Sequence, residues 1–395
     1  MKRVLAPTLA ALALAACSDA SRSPDATAPT QLQAVTAPYY AKGTNAVDGD
    51  YIVVFNDDVA DASGKSDEKV ARHNGTTKFK YENALKGFAA TLSAQAVAAL
   101  QADPDVKYIE QDQTVTISTT QTGATWGIDR IDQRNLPLSG SYTYTATGTG
   151  VRAYIIDTGI QTSHPQFGGR ASAVYDAIGD GQSGQDCNGH GTHVAGTVGS
   201  ATYGVAKNAY LRAVRVLNCA GSGTTSQVLA GINWVATNHI SPAVANMSLG
   251  GGFSQAENDA VNNLANSGVF IAVAAGNSSA DACNTSPASA ANATTVAATT
   301  STDARASYSN YGGCVDLYGP GSSITSTWLN SGTNTISGPS MATPHVTGVA
   351  VLYKSNFGDA SYSTIRSWLT TNATANVISG NVTGTPNKLL YKAGL

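Results

Sequence analysis

Short apolar runs alternate with longer amphipathic stretches over residues 119–395. The clearest strand-like runs are at 151–156, 211–216 and 269–273, and the clearest helical stretches are at 225–239 and 255–267. Such alternation predicts an α/β fold with a mostly parallel central sheet and helices on both faces. In sheets of this kind, catalytic and binding residues collect beyond the carboxyl ends of the strands.

A second pattern covers residues 50–118. Strand-like runs are predicted at 51–55, 78–81, 87–92 and 106–110, and helices at 65–73 and 94–101. Ser93 is suited to cap the second of these helices, and Asp103-Pro104 to end it. The order β-α-β-β-α-β is that of a small α+β ferredoxin-like module. This order alone indicates no function.

The N-terminus has the features of a targeting segment, assigned to residues 1–17. Lys2 and Arg3 precede an apolar run at 4–16, which is shorter than the roughly 20 residues that a membrane span needs. The run ends in Leu-Ala-Ala before Cys17, a sequence that resembles a bacterial lipobox; an ordinary cleavage site beside a chance cysteine is the alternative. Residues 18–49, rich in Ser, Ala, Thr and Pro, are interpreted as a low-complexity linker.

Composition excludes some functions and supports export. The 395 residues include 23 Lys+Arg and 26 Asp+Glu, with a net charge of -3, so nucleic acid is not an expected partner. Of five cysteines, four remain if Cys17 belongs to the signal: Cys187, Cys219, Cys283 and Cys314. Four cysteines allow three disulfide pairings, and an exported chain favours such bonds. Free thiols or metal ligands are the alternative, although no C-x-x-C pair supports a zinc cluster.

Four polar residues are candidates for chemistry, and each has an ordinary alternative. Asp157 follows the run at 151–156, where a carboxylate would face the crevice or form a turn. His190 lies in a glycine-rich helix candidate, where it could be oriented by Asp157 or, with a second His nearby, suggest a metal site. Ser340 is at a predicted helix start and is either a nucleophile or a plain N-cap. Asn277 follows the run at 269–273 and is either an oxyanion donor or a turn residue.

Taken together, the order Asp157, His190, Ser340, with Asn277 between the last two, is that of subtilisin. The chain resembles the subtilisin-like serine proteases, and most closely the proteinase K and aqualysin group, over essentially all of 119–395. Further matching motifs are at 126–133, 309–312 and 319–321. Residues 50–118 resemble the family's propeptide, which acts as a folding chaperone and inhibitor.

The resemblance implies a broad-specificity endopeptidase made as an autoprocessed zymogen, acting on polypeptides through an acyl-enzyme intermediate. Ser340 would be the nucleophile, His190 the general base and acid, and Asp157 the residue that orients His190. Asn277 and the Ser340 backbone N–H would stabilise the oxyanion. The substrate would pair as an extra strand with residues of three segments. These residues are Gly221, Ser222, Gly223, Ser248, Leu249, Gly250, Gly251, Ala274 and Gly276.

The resemblance also implies two disulfides, structural calcium sites and a secreted, monomeric mature enzyme. The disulfides would be Cys187–Cys219 and Cys283–Cys314. Structural Ca²⁺ would bind oxygen ligands at one site or at two. At the second site, the alternative is that the Asp residues are ordinary surface charges and bind no metal. The first would use Asp316 and the carbonyls of Ala291 and Ala293, and the second Asp129 and Asp132 with Gln133 and the Ser139 region. The mature enzyme is expected to be a secreted monomer, with its own propeptide as an intramolecular inhibitor and Cys17 anchoring only the precursor.

One position departs from the family pattern, because Pro339 stands where Thr usually precedes the nucleophile. Proline lacks an N–H and a hydroxyl, which predicts weaker oxyanion support. Rival interpretations are a lipid-anchored peptide-binding pseudoprotease, an esterase and a metallohydrolase. The first would require loss of a triad residue, the second a G-x-S-x-G motif, and the third sensitivity to chelators.

Overall fold

The computed structural model of the protein describes residues 36–41, 46–115 and 118–395. The signal segment, Cys17 and most of the predicted linker lie outside these residues. The chain divides into two compact units, Met1–Val115 and Thr116–Leu395. Within the described part of the chain, no helix is both long enough and apolar enough to cross a membrane.

The N-terminal unit has the predicted β-α-β-β-α-β order, extended by one short strand. Its strands are β1 (Tyr39–Tyr40), β2 (Ala46–Phe55), β3 (Thr76–Tyr81), β4 (Gly87–Thr91) and β5 (Val106–Gln113), and its helices are α1 (Ala62–Arg72) and α2 (Ala94–Gln101). The sheet order is β1-β5-β2-β4-β3. The sheet therefore begins before residue 50, because β1 pairs with β5 and β2 starts at Ala46.

Local sequence signals explain the helix boundaries of this unit. The Ser93 hydroxyl accepts the N–H of Ala96 at 3.2 Å and caps α2, as the sequence predicts. The carboxylate of Asp61 caps α1 in the same way, through the N–H of Gly64 at 2.8 Å. The core of the unit is apolar and includes the fully buried rings of Phe55 and Phe88.

The C-terminal unit contains the remaining elements. The strands are β6 (Thr119–Thr122), β7 (Ser141–Tyr144), β8 (Arg152–Asp157), β9 (Ala171–Asp176), β10 (Tyr210–Arg215), β11 (Ala243–Met247), β12 (Gly251–Gly252), β13 (Phe270–Ala274), β14 (Thr285–Ser286), β15 (Thr294–Thr299), β16 (Leu317–Pro320), β17 (Ile324–Thr327), β18 (Thr333–Ile336), β19 (Thr374–Ala375) and β20 (Lys388–Leu389). The helices are α3 (Trp126–Asp132), α4 (His190–Gly199), α5 (Thr225–Asn238), α6 (Gln255–Asn266), α7 (Pro339–Phe357) and α8 (Tyr362–Asn372), with 3-10 turns at Pro165–Phe167 and Ala282–Asn284.

The main sheet has nine strands in the order β19-β20-β16-β15-β13-β11-β8-β10-β9. Neighbouring strands are parallel from β9 to β20, and only β19 runs antiparallel to its neighbour. The central strands are buried along their whole length. They read as continuous apolar runs because helices cover both faces.

Alternation along two neighbouring strands shows that helices lie on opposite faces. In β8, Ile156 is close to Gly231 of α5, whereas Asp157 is close to Gly191 of α4. In β10, Val214 is close to α5 and Leu211 to α4. Successive side chains of a strand point to opposite faces, so α4 and α5 cover different sides. The predicted α/β architecture is confirmed.

Candidate active site

Three candidate segments follow adjacent parallel strands at the same edge of the sheet. Asp157 is the last residue of β8, Ser248 follows β11, and Asn277 lies three residues beyond β13. These strands are neighbours in the order β13-β11-β8. Because parallel strands end at a common edge, the topology brings the three segments together.

His190 and Asp157 form a hydrogen-bonded pair. His190 is the first residue of α4, and its Nδ1 lies 2.8 Å from Asp157 Oδ1. The carboxylate is fully buried, while a quarter of the imidazole is exposed. Burial alone lowers the pKa of His190, but the charge and hydrogen bond of Asp157, with the charge of Asp186, outweigh it and hold this pKa above its ordinary value. A buried carboxylate on Nδ1 leaves Nε2 free to exchange a proton.

Asp186 organises the loop before His190, a role that the sequence pattern does not predict. Its carboxylate accepts the N–H groups of Asn188, Gly189 and Thr192, each at 2.9 Å. A carboxylate that accepts several N–H groups at a helix start is a capping interaction. An Asp four residues before the first helical residue is the only local signal. Its position fixes the backbone from which the His190 side chain projects.

Close packing also fixes α4 against the sheet. A Cβ at Gly191 would lie 2.1 Å from the carbonyl oxygen of Gly159. The Gly191 N–H donates to Thr158 Oγ1 at 2.9 Å. Only glycine permits this approach, so the small residue beside His190 determines how near the imidazole lies to Asp157.

Ser340 is the second residue of α7 and faces Ser248. Its hydroxyl donates to the Ser248 carbonyl at 3.0 Å, and the Ser248 hydroxyl donates to the Ser340 carbonyl at 2.7 Å. That carbonyl would otherwise pair with the N–H four residues later, but this residue is Pro344, which has none. Pro344 lies inside the helix rather than in its first turn, and it leaves the Ser340 carbonyl free to hold Ser248.

Asn310 holds the loop that carries Asn277. Its amide oxygen accepts the N–H groups of Ser278 at 2.9 Å and Ala280 at 3.0 Å. A Cβ at Gly276, whose φ is +104°, would lie 2.5 Å from the Asn310 amide nitrogen. The turn therefore requires glycine both for its conformation and for space. Asn310 belongs to a motif that carries the family resemblance, but its sequence does not disclose this role.

Asn277 lies beside the start of α7. Its Oδ1 is 3.2 Å from the position that a Cβ would take at Gly338, two residues before Ser340. The amide of Asn277 and the N-terminal end of α7 thus border the same space. Both an amide N–H and a helix N-terminus favour negative charge there.

One cleft of about 900 Å³ connects these residues. His190, Asn277 and Ser340 line it, while Asp157 lies behind His190, inside the protein. All nine residues expected to bind substrate also line the cleft. They are Gly221, Ser222, Gly223, Ser248, Leu249, Gly250, Gly251, Ala274 and Gly276. Two glycine-rich segments therefore flank the polar centre, and their small residues leave room for the backbone of a polypeptide substrate.

Two other histidines near this region have structural contacts. His193 Nε2 lies 3.0 Å from the carbonyl of Ile324, and His345 Nδ1 lies 2.8 Å from that of Met341. Both are buried, and burial lowers the pKa of each to about 4. Among the described residues, no group of three His, Cys, Asp or Glu side chains could hold a metal ion.

Both disulfides that the resemblance implies are present. Cys187 is bonded to Cys219 with a Cα–Cα distance of 4.9 Å, and Cys283 to Cys314 with 5.3 Å. The first joins the loop before His190 to the loop before Gly221. Asn188 adds to this connection, because its amide donates to the Cys219 carbonyl at 3.0 Å.

The first expected calcium site has a suitable donor set, but a guanidinium already contacts it. Arg366 donates to Asp316 Oδ1 at 2.8 Å and to the Ala291 carbonyl at 3.1 Å. A cavity lined by Asn292 and Asp316 lies beside these groups. A carboxylate and two carbonyls are ligands that Ca²⁺ accepts. The Asp316 carboxylate and the Ala291 carbonyl, which share their contact with Arg366, are therefore oxygen ligands of a type that suits calcium, with Arg366 as a competing cation.

The second expected site does not fit a cation. Asp129 Oδ1 accepts the N–H and hydroxyl of Ser139 at 3.2 and 2.9 Å, and its Oδ2 accepts the N–H of Gly140 at 2.7 Å. Asp132 accepts the N–H of Thr143 at 2.6 Å. Gln133 Oε1, also expected as a ligand, accepts the N–H of Ser139 at 3.0 Å. N–H and O–H groups of the loop thus engage the expected oxygen ligands, and a cation would have to displace these donors. The two carboxylates serve to fix this loop.

Comparison with known proteins identifies the class. A model of the subtilase family matches residues 148–391, and a model of peptidase inhibitor I9 matches residues 50–118. The chain is 55% identical over 313 residues to an extracellular serine proteinase of a Thermus species, covering 79% of this chain and 76% of that protein. It is 46% identical over 357 residues to alkaline serine exoprotease A of Vibrio alginolyticus, covering 86% and 67%.

A solved structure agrees with these matches. The crystal structure of a cold adapted subtilisin-like serine proteinase superposes with a TM-score of 0.68 at 54% identity, covering 69% of this chain and 99% of that one. The protein is therefore an α/β serine proteinase preceded by an inhibitor-type region. It belongs to the subtilase family, as the sequence resemblance predicts. The comparisons give no support to a lipid anchor.

Proposed function

We propose that Asp157, His190 and Ser340 are the catalytic triad of an endopeptidase of broad specificity. The observation that carries this proposal is the 2.8 Å contact of His190 Nδ1 with a buried Asp157 oxygen, in a cleft that Ser340 also lines. Among the described contacts, none joins His190 Nε2 to Ser340 Oγ, which donates to Ser248 instead. Rotation of the Ser340 hydroxyl toward His190 would complete the triad, since such bonds often tighten only with substrate present.

The mechanism proceeds in two halves. Ser340 Oγ attacks the peptide carbonyl while His190 takes its proton, and Asp157 stabilises the imidazolium. Asn277 and the Ser340 N–H donate to the tetrahedral oxyanion. His190 returns the proton to the leaving amine, and an acyl-enzyme remains. Water then attacks that ester, with His190 again as base, and frees the second product.

The glycine edges support broad specificity. Pairing along Gly221–Gly223 and along Ser248–Gly251 would use the substrate's backbone groups, which every extended polypeptide has. The preferred side chain at the scissile bond would then depend on the pocket around Ala274 and Gly276. A peptide-binding pseudoprotease, the alternative, is not favoured, because Asp157, His190 and Ser340 are all retained in one site.

We further propose that residues 50–118 inhibit the enzyme until Ser340 cleaves the chain near Thr119. The I9-type match supports an inhibitor role. The names of the relatives, of which one is called extracellular, support export of the mature enzyme. A monomer with one structural Ca²⁺, held by Asp316 and the carbonyls of Ala291 and Ala293, completes the proposal.

The test is the processing of two variants. The wild-type chain should yield a mature species that begins near Thr119, whereas Ser340→Ala should keep residues 50–118 attached. Ser355→Ala is the matched control, because Ser355 lies on the same helix outside the cleft and bonds only within the helix. Intact mass and N-terminal sequencing decide the outcome. Maturation of Ser340→Ala at the same bond in a protease-free preparation would exclude Ser340 as nucleophile.

A further inference from the structure

Helix α6 begins with a capping sequence that is only half used. Ser254 and Glu257 have the S-x-x-E spacing of a capping box, in which each side chain accepts the other's backbone N–H. The Ser254 hydroxyl does accept the N–H of Glu257, at 3.3 Å. The N–H of Ser254, however, donates to the hydroxyl of Ser286 at 2.9 Å. Ser286 therefore occupies the place that the Glu257 carboxylate would take.

Helix α5 provides an internal comparison. Thr224 and Gln227 have the equivalent spacing, and there both bonds of the box are present. The N–H of Thr224 donates to the Gln227 side chain at 2.9 Å. The capping box is thus complete in α5, whereas in α6 only one of its two hydrogen bonds is present. The difference is the Ser286 hydroxyl, which comes from a strand distant in sequence.

The carboxyl group of Glu257 lies in the protein interior instead. Glu257 is 5% exposed, and its Oε1 is buried without a hydrogen-bond partner among the described residues. The elements that pack most extensively against α6 are α5, β13 and β14, and none of these three contains an ionisable residue. On α6 itself the other carboxylate is Asp259, which is exposed. A buried carboxyl group without a counter-ion favours its neutral form.

Ser286 links this helix start to the substrate cleft. It belongs to β14, which pairs with β12 through Gly251–Ser286 and Gly252–Thr285. The four residues of these two strands line the cleft beside the expected substrate edge. The Ser286 hydroxyl also donates to the Ser254 carbonyl at 3.2 Å, so Ser254 and Ser286 hold β14 against the start of α6 by two bonds.

We propose that Ser254, Glu257 and Ser286 form a pH-responsive element, the α6 cap cluster, that controls the outer edge of the substrate cleft. At low pH, neutral Glu257 stays inside and Ser286 keeps the Ser254 N–H. When Glu257 ionises, its carboxylate moves to the Ser254 N–H and closes the capping box, where the helix N-terminus favours a negative charge. Ser286 then loses one of its two bonds to Ser254 and keeps only the bond to the Ser254 carbonyl, so β14 is held less firmly beside β12.

The range in which this happens follows from the environment of Glu257. Burial raises the pKa of Glu257 to about 7, so its charge changes near neutral pH. A raised carboxyl pKa means that the folded state retains a proton that the unfolded state releases. The free energy of unfolding therefore falls as pH rises toward about 7. Above that pH, Glu257 is ionised in both states and adds no further pH dependence to stability.

The first test observes the Ser254 amide directly. In the full chain with Ser340→Ala, which prevents autolysis, the ¹H–¹⁵N resonance of Ser254 should titrate with a midpoint near neutral pH. Adding Glu257→Gln should abolish that titration, while Asp259→Asn, the exposed carboxylate of the same helix, should preserve it. A Ser254 resonance that is independent of pH, or that titrates equally in Glu257→Gln, overturns the proposal.

A second variant keeps the test valid if Glu257→Gln folds poorly. Ser286→Ala removes the competing hydroxyl, so Glu257 should close the box more readily, and the Ser254 midpoint should shift to lower pH. An unshifted midpoint contradicts the competition. These measurements use no catalysis, so their failure would leave the proposed triad intact.

The link to the cleft, which rests on the proposed function, is tested with the active enzyme. The ratio of kcat/KM for a long peptide to that for a single-residue ester should fall at least about twofold as pH rises through neutrality. The ratio cancels the titration of His190, which both substrates share. In Glu257→Gln the ratio should be flat; a ratio that falls equally in both enzymes would overturn control of the cleft by Glu257.

Discussion

Pro339, directly before Ser340, is the residue at which we expect this active site to depart from the family pattern. It begins α7, and its carbonyl accepts the Thr343 hydroxyl at 2.8 Å. A proline can offer an oxyanion neither a hydroxyl nor an N–H. In the proposed mechanism, the oxyanion therefore relies on Asn277 and the Ser340 N–H.

Restoring a hydroxyl at this position should accelerate the reaction. In Pro339→Thr, one additional hydrogen bond of ~1 kcal/mol would raise kcat about fivefold. Pro339→Ala is the control, because it removes the ring without adding a hydroxyl and should give no such gain. Steady-state kinetics with a peptide anilide measure both. An unchanged or lower kcat in Pro339→Thr would show that the hydroxyl does not reach the oxyanion.

The pH dependence of activity is the second prediction at the residue scale. Protonated His190 cannot accept a proton, so kcat/KM should fall as pH drops through the pKa of His190, which lies above its ordinary value. Asp157→Asn removes the charge that raises this pKa, so the acidic limb should move to lower pH. It should also reduce kcat by about 10⁴, the effect known for this change in a serine protease triad. An acidic limb at the same pH in both enzymes would assign it to another group.

The sequence predicts the candidate catalytic residues, but it does not predict the residues that hold their loops in place. Asp157, His190, Asn277 and Ser340 stand out because reactive side chains follow strands or begin glycine-rich helices. Asp186 and Asn310 do not stand out, because they act by accepting N–H groups of their own loops. Such acceptors have the composition of ordinary turn residues, and only the folded backbone shows how many bonds they make.

At the scale of elements, α7 begins with the proposed nucleophile and contains a proline, Pro344, in its second turn. The missing N–H of Pro344 leaves the Ser340 carbonyl to Ser248, which couples the helix to one substrate edge. Pro344→Ala would supply that N–H and compete with Ser248. We expect a higher melting temperature, because Pro is ~3 kcal/mol less favourable than Ala within a helix.

Activity should move in the opposite direction in this variant. If the helix recaptures the Ser340 carbonyl, Ser248 loses one of its anchors, and kcat/KM for long peptides should fall several-fold. Calorimetry and peptide kinetics on the same preparation check both parts. A variant with improved activity would show that the link between Ser340 and Ser248 does not support substrate binding.

Periodicity in the sequence predicts several of these elements, and its failures have physical causes. Strands β8, β10 and β13, helices α5 and α6, and the order of residues 50–118 are predicted because buried strands are apolar and helices are amphipathic. The beginning of the first sheet is missed, because β1 and the first part of β2 lie in a stretch with little apolar pattern. Their pairing with β5 depends on a partner more than 50 residues away, which no local pattern contains.

For the whole molecule, the effect of calcium on the melting temperature distinguishes the two expected metal sites. Millimolar calcium should raise the melting temperature of the mature enzyme, and EGTA should lower it, because a ligand that binds only the folded state stabilises it. Asp316→Asn should abolish the response. Asp129→Asn is the control, since Asp129 is engaged by Ser139 and Gly140, and its response should persist.

A melting temperature that is indifferent to both calcium and EGTA would mean that Arg366 alone satisfies Asp316 and Ala291. In that case Arg366→Ala should strongly destabilise the enzyme, because a carboxylate that is largely buried would lose its counter-ion.

The bond between Cys187 and Cys219 has a consequence for where in the cell this enzyme becomes active. It ties the loop before His190 to the loop before Gly221, so one covalent link maintains the spacing between the proposed general base and a proposed substrate-binding segment. Such links persist in oxidising compartments and are rare in the cytosol. We expect a chain that folds before export to lack this bond and to have a less well-ordered cleft. Full activity should then require export from the cytosol, independently of the propeptide.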